Sequence, residues 1–131
     1  MWRKFFSKKT SPLTGVPPIR RLKSYSAQSG YVYQYFYQGQ RPLAAERGLE
    51  FVFSASANRK TWQPVSVLVT DQALAEWENS HAHPLSATER YAVAKLALFQ
   101  AFDERSTPEL MTVEVRLRAA DVAAILDTLG L

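Results

Sequence analysis

A run of alternating tyrosines constrains the fold of this chain more than any other feature. Residues 31–37 have the sequence Tyr-Val-Tyr-Gln-Tyr-Phe-Tyr, with tyrosine at Tyr31, Tyr33, Tyr35 and Tyr37. Successive side chains of a β-strand point to opposite faces, so an extended chain brings all four rings onto one face. Aromatic and β-branched residues also favour strands. The pattern predicts the first strand of a sheet over residues 31–37.

The tyrosine face of this strand has two interpretations. It is either an exposed aromatic platform on which bases, sugars or a peptide stack, or the core side of the sheet, where the rings pack against helices. The core interpretation is favoured because a strand buries its most apolar face. A slip of one residue in strand pairing exchanges the two faces, and the sequence does not specify that register.

Three further segments alternate in the same way, and they predict strands over residues 49–56, 62–69 and 111–117. The first two follow the tyrosine strand after short loops, which is typical of an antiparallel meander. In the last segment Val113, Val115 and Leu117 are predicted to face inward.

Helical spacing and capping residues predict three helices, over residues 71–79, 87–104 and 119–129. Thr70 or Asp71 caps the first helix, and a capping box formed by Ser86 and Glu89 opens the second. The second helix carries the longest apolar stripe and is predicted to lie at the centre of the core.

The expected fold is therefore α+β. It has a four-stranded, mainly antiparallel sheet (a three-strand meander plus a fourth strand) with three helices packed chiefly on one face. The apolar sides of these elements predict a buried core that includes Phe51, Phe53, Val67, Leu98, Phe102, Val115 and Ile125.

Positive charge is concentrated near the N-terminus. Of the 16 Lys and Arg residues, seven lie in residues 1–29, which contain no acid, whereas the other nine share the rest of the chain with all 12 acids. These seven are Arg3, Lys4, Lys8, Lys9, Arg20, Arg21 and Lys23. Prolines and a Ser-rich run over residues 24–30 predict loop in this region. We therefore predict a basic, Pro/Ser-containing N-terminal arm over residues 1–29 and a single α+β domain over residues 30–131.

The cations of the arm are interleaved with Trp2, Phe5 and Phe6, which fits several anionic partners. With nucleic acid, the cations neutralise phosphates while the rings stack, and such binding is expected to be weak and without sequence preference. An anionic membrane surface and an acidic protein surface are the other partners. The arm is equally compatible with a solubilising terminus that binds nothing. No apolar run approaches the roughly 18–20 residues of a transmembrane helix.

No pattern in the sequence predicts catalysis, a cofactor or a metal. His81 and His83 supply at most half of a zinc site, and neither a Gly-rich phosphate loop nor a Gly-x-Ser-x-Gly motif is present. Asp103 and Glu104, two acids at a helix end, are either solvated or mark an interaction edge. The chain has no cysteine, which excludes thiol catalysis and fits a cytoplasmic location. The first residues lack the apolar core of a secretory signal.

Taken together, these patterns predict a small non-enzymatic binding or accessory domain that acts through protein–protein contacts. Its partner is expected to be another protein or a second copy of the chain. The alternative is a nucleic-acid-binding accessory protein that uses the basic arm and the tyrosine strand. An enzyme is the least supported class.

Overall fold

The computed structural model describes residues 11–131. Predictions that concern residues 1–10, among them the anionic-partner contacts Arg3, Lys4, Lys8 and Lys9, lie outside the described residues. The strands of the described chain are β1 (Lys23–Ser26), β2 (Val32–Pro42), β3 (Gly48–Ser56), β4 (Gln63–Thr70) and β5 (Val115–Arg116). Its α-helices are α1 (Asp71–Ser80), α2 (Ala87–Glu104) and α3 (Ala119–Thr128), and a 3₁₀ helix spans Pro108–Thr112.

The strands form one sheet in the order β1-β2-β3-β4-β5. The first four strands pair antiparallel with their neighbours, and β5 runs parallel to β4. The α+β class and the antiparallel meander are therefore confirmed. The helices pack against the sheet face that carries Tyr33, Phe53 and Val67, where a single apolar core forms.

The sheet has one strand more than the sequence predicted. β1 lies partly in the Ser-rich run for which the composition predicts loop, and it pairs with β2 from Lys23 opposite Tyr35 to Ser26 opposite Val32. The preference of a residue for a strand depends mainly on its neighbours in the sheet, and here the long neighbouring strand supplies them. The loop prediction is therefore wrong for residues 24–26.

The strand predicted over residues 111–117 is shorter than expected, because only Val115–Arg116 pair with β4. The guanidinium of Arg105 donates hydrogen bonds to the backbone carbonyls of Leu110 and Val113, so these carbonyls do not join a strand ladder. The Val113 side chain was predicted to face inward, but it is 57% exposed, and that prediction is wrong.

The helix starts agree closely with the sequence patterns. α1 begins after Thr70, whose hydroxyl accepts a hydrogen bond of 3.1 Å from the backbone N–H of Ala73. α2 begins with the predicted capping box, in which the Ser86 hydroxyl accepts from the Glu89 N–H and the Glu89 carboxylate accepts from the Ser86 N–H. Both caps satisfy donors that a first helical turn leaves free, so local chemistry sets these starts.

The seven side chains that the sequence analysis named as core members all lie in the core. The buried residues include Phe51, Phe53, Val67, Leu98, Phe102, Val115 and Ile125. Phe102 connects α2 to the tyrosine strand, because its ring stacks on that of Tyr33 with 4.0 Å between the centroids. α2 is therefore the central helix of the core, as its apolar stripe indicates.

The opposite face of the sheet carries a partly buried ion pair. Arg41 donates to Glu50 with 3.0 Å between Nε and Oε1, and the Ser66 hydroxyl donates to the same carboxylate. Burial by itself raises the pKa of Glu50, but the hydrogen bonds from Arg41 and Ser66 and the charge of Arg41 outweigh that effect and lower the pKa below 4.5.

Replacement of Phe102 by alanine is expected to destabilise the fold by about 3–5 kcal/mol, because it removes a buried ring and leaves a cavity between α2 and β2. Val113→Ala, at an exposed side chain, is the matched control and is expected to change stability by less than about 0.5 kcal/mol. Urea unfolding measures both values. A loss below about 1 kcal/mol for Phe102→Ala contradicts the central position of α2.

Replacement of Glu50 by glutamine is expected to make the free energy of unfolding less dependent on pH under acidic conditions. The pKa of Glu50 is lower in the folded chain than the ordinary value of 4.5, so its carboxylate stabilises the fold above that value and ceases to do so as the pH falls through the lowered pKa. The parent chain should therefore lose more stability than Glu50→Gln between about pH 5 and pH 3 in urea unfolding. Glu76→Gln, at an exposed acid, is the control, and identical slopes for all three proteins argue against the ion pair.

Candidate functional site

The segment before β1 leaves the sheet and then returns to it. Lys23 lies opposite Tyr35, and Thr14 forms an isolated antiparallel bridge with Gln40. Between these two pairs the chain before β1 has eight residues, 15–22, whereas β2 has only four, 36–39. Two prolines in this stretch lack the N–H that a ladder needs. The surplus residues therefore form a loop beside β2, the 15–22 loop.

β1 is attached to α2 through one carboxylate. Asp103 accepts hydrogen bonds from the Tyr25 hydroxyl at 2.8 Å and from the Gln28 backbone N–H at 2.9 Å. The Tyr25 ring also stacks on Phe99, with 4.3 Å between the centroids. Asp103, which the sequence identifies only as an acid at a helix end, thus holds the end of the predicted arm against the body of the fold.

The tyrosines of residues 31–37 differ widely in exposure. Tyr33 and Tyr35 are only 1% and 4% exposed, whereas Tyr31 is 37% exposed. Tyr33 stacks on Phe102, and Phe99 packs edge-on to Tyr35, with 5.6 Å between the centroids. The rings of α2 therefore occupy positions that a base would need, and Tyr33 and Tyr35 belong to the core.

A cleft of about 200 Å³ lies where the 15–22 loop, β1, β2 and α2 meet. The residues that line this basic cleft are Pro17, Arg21, Lys23, Tyr35, Phe36, Tyr37, Tyr91 and Lys95. It brings together two predicted cations of the arm, Arg21 and Lys23, with two tyrosines of the predicted platform, Tyr35 and Tyr37. Arg20 does not line the cleft, but its guanidinium lies 4.4 Å from the centre of the ring of Phe36, which does.

Sequence reasoning missed both Lys95 and Tyr91 as members of the site. Both lie on α2, four residues apart, and Phe99 follows after four more, so all three share one side of the helix. The Lys95 ammonium is 6.0 Å from the centre of the Phe99 ring. A lysine within the apolar stripe of a core helix is an unusual placement, and it is the pattern that points to Lys95.

The cations around the cleft have no acidic partner. Within residues 11–131, no carboxylate forms an ion pair with Arg20, Arg21, Lys23 or Lys95, and residues 1–10 contain no Asp or Glu. The ion pairs of the described chain use other cations, such as Arg41. The basic cleft therefore carries an uncompensated positive charge, which attracts anions.

Burial shifts the pKa values of Lys95, Tyr35 and Tyr91 in the cleft. Desolvation lowers the pKa of Lys95, and the nearby charge of Lys23 lowers it further. Desolvation raises the pKa of Tyr35 to about 12, and the electrostatic effect of the nearby Tyr91 acts in the same direction. Burial also raises the pKa of Tyr91. Both phenols are therefore protonated at neutral pH, so they are hydrogen-bond donors and not bases.

The 15–22 loop adds an apolar surface next to the cleft. Val16, Ile19 and Leu22 are all more than half exposed, and Ile19 reaches 67%. They alternate along the loop with prolines and arginines, so apolar and cationic side chains share one short stretch. Exposed apolar side chains grouped in this way are typical of contact surfaces.

The two histidines lie away from the basic cleft. The His81 ring stacks on Trp77 at 4.1 Å between centroids, and His83 Nε2 lies 3.1 Å from a carboxylate oxygen of Glu89. Among residues 11–131, no group of three or more His, Asp or Glu side chains is placed to hold a metal ion. None of the helices in that range has both the length and the apolar character required to span a bilayer.

Removal of the Tyr25 hydroxyl is expected to loosen β1. Tyr25→Phe keeps the stacked ring but loses a hydrogen bond to a charged group, which contributes about 1.5–3 kcal/mol. Amide hydrogen exchange over Lys23–Ser26 should become faster while exchange in α2 changes less. Tyr31→Phe, whose hydroxyl has no hydrogen bond to another described residue, is the control. Unchanged exchange in β1 of Tyr25→Phe contradicts an attachment through Asp103.

Comparison of the chain with known protein families, with curated proteins and with solved structures finds no match. The function of the basic cleft is therefore inferred from its own chemistry. That chemistry consists of unpaired cations and protonated phenols, with exposed apolar side chains beside them.

Proposed function

We propose that this chain is a small non-enzymatic binding domain that contacts an acidic segment of a partner protein. The observation that carries the proposal is the convergence of Arg21, Lys23 and Lys95 on one cleft without a carboxylate partner in the described chain. Uncompensated cations attract an anionic partner, speed its association and favour one orientation of it.

The 15–22 loop supports a partner that is both acidic and apolar. Arg21 lines the basic cleft, and the exposed Ile19 and Leu22 flank it in the sequence. An acidic segment with apolar side chains between its acids would meet cations and apolar surface over the same few residues. Contact surfaces of proteins combine an apolar centre with polar surroundings in this way.

The positions of the tyrosines favour a protein partner over single-stranded nucleic acid. Sequence-tolerant binding of a strand relies on exposed aromatic faces on which bases stack. Tyr33 and Tyr35 are buried under Phe99 and Phe102, so neither offers such a face. Contacts between the cations and phosphates remain available, which makes nucleic acid the second candidate.

The side chains of the cleft support binding and not catalysis. Tyr35, with a pKa raised to about 12 by burial, is too weak an acid to exchange a proton readily at neutral pH. Neither His81 nor His83 lines the basic cleft. A general base next to a nucleophile, the usual requirement of hydrolytic chemistry, is not among its lining residues.

The proposal is tested with a labelled peptide that alternates glutamate and leucine, titrated against the full chain at physiological salt. Charge reversal in the cleft, by Lys23→Glu or Lys95→Glu, is expected to weaken binding about tenfold, because each change replaces attraction by repulsion. Lys60→Glu, in an exposed turn outside the cleft, is the matched control and should have a much smaller effect. Equal effects of all three reversals contradict a specific surface.

A single-stranded oligonucleotide in the same titration separates the two candidates. Phosphate contacts release counterions, so this binding is expected to weaken steeply as salt is raised. Binding of the oligonucleotide that is tighter than peptide binding and persists at physiological salt would favour the second candidate. A second copy of the chain is also a candidate acidic partner, because residues 30–131 carry more acids than bases. Sedimentation of the chain alone shows whether it self-associates.

A further inference from the structure

We infer that the basic cleft is a pocket for one oxyanionic group, a carboxylate or a phosphate carried on a short apolar stem, and that this group anchors the partner segment. The second half of this inference rests on the proposed function, whereas the first half concerns the cleft alone. The chemistry of the ligand follows from the size, the charges and the free hydroxyls of the cleft.

The size of the cleft fits one group and not a large molecule. Its volume of about 200 Å³ is smaller than the roughly 300–1,000 Å³ of pockets for drug-sized ligands. Most of its lining is aromatic or proline, including Pro17, Phe36 and Tyr91, so a short apolar stem finds complementary walls. A ligand of this kind places its charged end against the cations of the cleft.

Arg21 and Lys23 are close in the sequence, and folding brings Lys95 of α2 to them. Lys23 lies at the start of β1 and Lys95 in the middle of α2, and Arg21 lies in the 15–22 loop. Desolvation and the charge of Lys23 both lower the pKa of Lys95, which shows that the charged form is destabilised there. An anion bound in the cleft offsets this cost, because it supplies a negative charge that none of the lining residues provides.

Two phenol hydroxyls are free to donate to such an anion. Within residues 11–131, the hydroxyls of Tyr35 and Tyr91 form no hydrogen bond, whereas the hydroxyl of Tyr37 donates to the Gln40 side chain at 2.9 Å. Hydrogen bonds to an ionised acceptor are roughly twice as strong as neutral ones. Tyr35 and Tyr91 are therefore the expected donors, and Tyr37 is not.

The donors are held in place before any ligand binds. The Tyr35 ring lies against Phe99 and Phe53, with 5.6 and 6.4 Å between the centroids. The Tyr91 ring packs edge-on to Tyr37 at 4.8 Å. Side chains fixed in this way lose little conformational freedom on binding, which strengthens the binding of a small ligand.

The inference is tested by titrating phenyl phosphate, benzoate and benzyl alcohol into the isotopically labelled full chain, observed by NMR. Both anions are expected to shift the ring signals of Tyr35 and Tyr91 and to saturate, whereas the neutral alcohol binds at least about tenfold more weakly. The anion that binds more tightly shows which of the two oxyanionic groups the cleft prefers. Equal binding of the alcohol, or shifts confined to signals outside the cleft, overturns the inference.

Two pairs of variants test which side chains of the cleft contribute to anion binding. Tyr91→Phe is expected to weaken binding of the better anion about three- to tenfold, because it removes one donor. Tyr31→Phe is the control, because Tyr31 does not line the cleft and its hydroxyl forms no hydrogen bond within residues 11–131. Lys95→Met is expected to weaken it about tenfold, with Lys60→Met as the control for loss of surface charge. Tyr91→Phe changes a single hydroxyl, so it tests the pocket even where Lys95→Met does not fold. Equal effects within either pair overturn the inference.

The peptide titration distinguishes failure of the pocket from failure of the proposed function. Where the acidic peptide binds the parent chain but binds Tyr91→Phe and Lys95→Met equally well, the pocket does not anchor the partner segment. The second half of the inference is then overturned, whereas the proposed binding of an acidic segment stands. Where phenyl phosphate or benzoate binds in the cleft but the peptide does not bind, the proposed function is overturned and the cleft is a small-anion site.

Discussion

Contacts between aromatic rings of α2 and the first two strands hold the rest of the structure in place. Phe102 stacks on Tyr33 of β2, and Phe99 stacks on Tyr25 of β1, with 4.0 and 4.3 Å between the centroids. Stacked pairs contribute about 0.5–1.5 kcal/mol each beyond the area that they bury. Because one helix packs on both strands, β1 cannot shift without disturbing the core. The basic cleft exists because β1 holds Lys23 beside this helix.

The grouping of its cations distinguishes the cleft, because Arg47, Arg59 and Lys60 also form no ion pair in the described chain but do not line a common cleft with other cations. Several arginines of the described body form ion pairs, namely Arg41, Arg90, Arg116 and Arg118. The exposed pairs among them, such as Arg118 with Glu104, contribute little to stability, about 0–1 kcal/mol each. The cations around the cleft have no such partners, and Lys95 bears a desolvation cost that lowers its pKa. Because the positive charge of the cleft is not neutralised in the isolated chain, an anion from outside is expected to bind more favourably there than beside a cation that already has an acidic partner.

Local patterns predicted the elements whose causes are local. The caps at Thr70 and Ser86 were predicted because each depends on a few adjacent residues. β1 was not predicted, since its strand conformation depends on pairing with β2 and not on its own composition. The exposure of Val113 was also missed. The Arg105 guanidinium donates hydrogen bonds to the carbonyls of Leu110 and Val113, so these carbonyls do not pair with a neighbouring strand. Hydrogen bonds to residues outside each segment thus account for both errors.

The sequence by itself determined the α+β class, the helix starts, the core side chains and the concentration of cations before residue 30, because these follow from periodicity, capping and composition. Only the tertiary structure decided that Tyr35 is a core residue and that Lys23 and Lys95 share a cleft with Tyr91. β1 and α2 are far apart in the chain, and their meeting depends on strand register and on stacking between aromatic rings. Neither of these is encoded in a short stretch of residues, so the site emerges only when the whole core is packed.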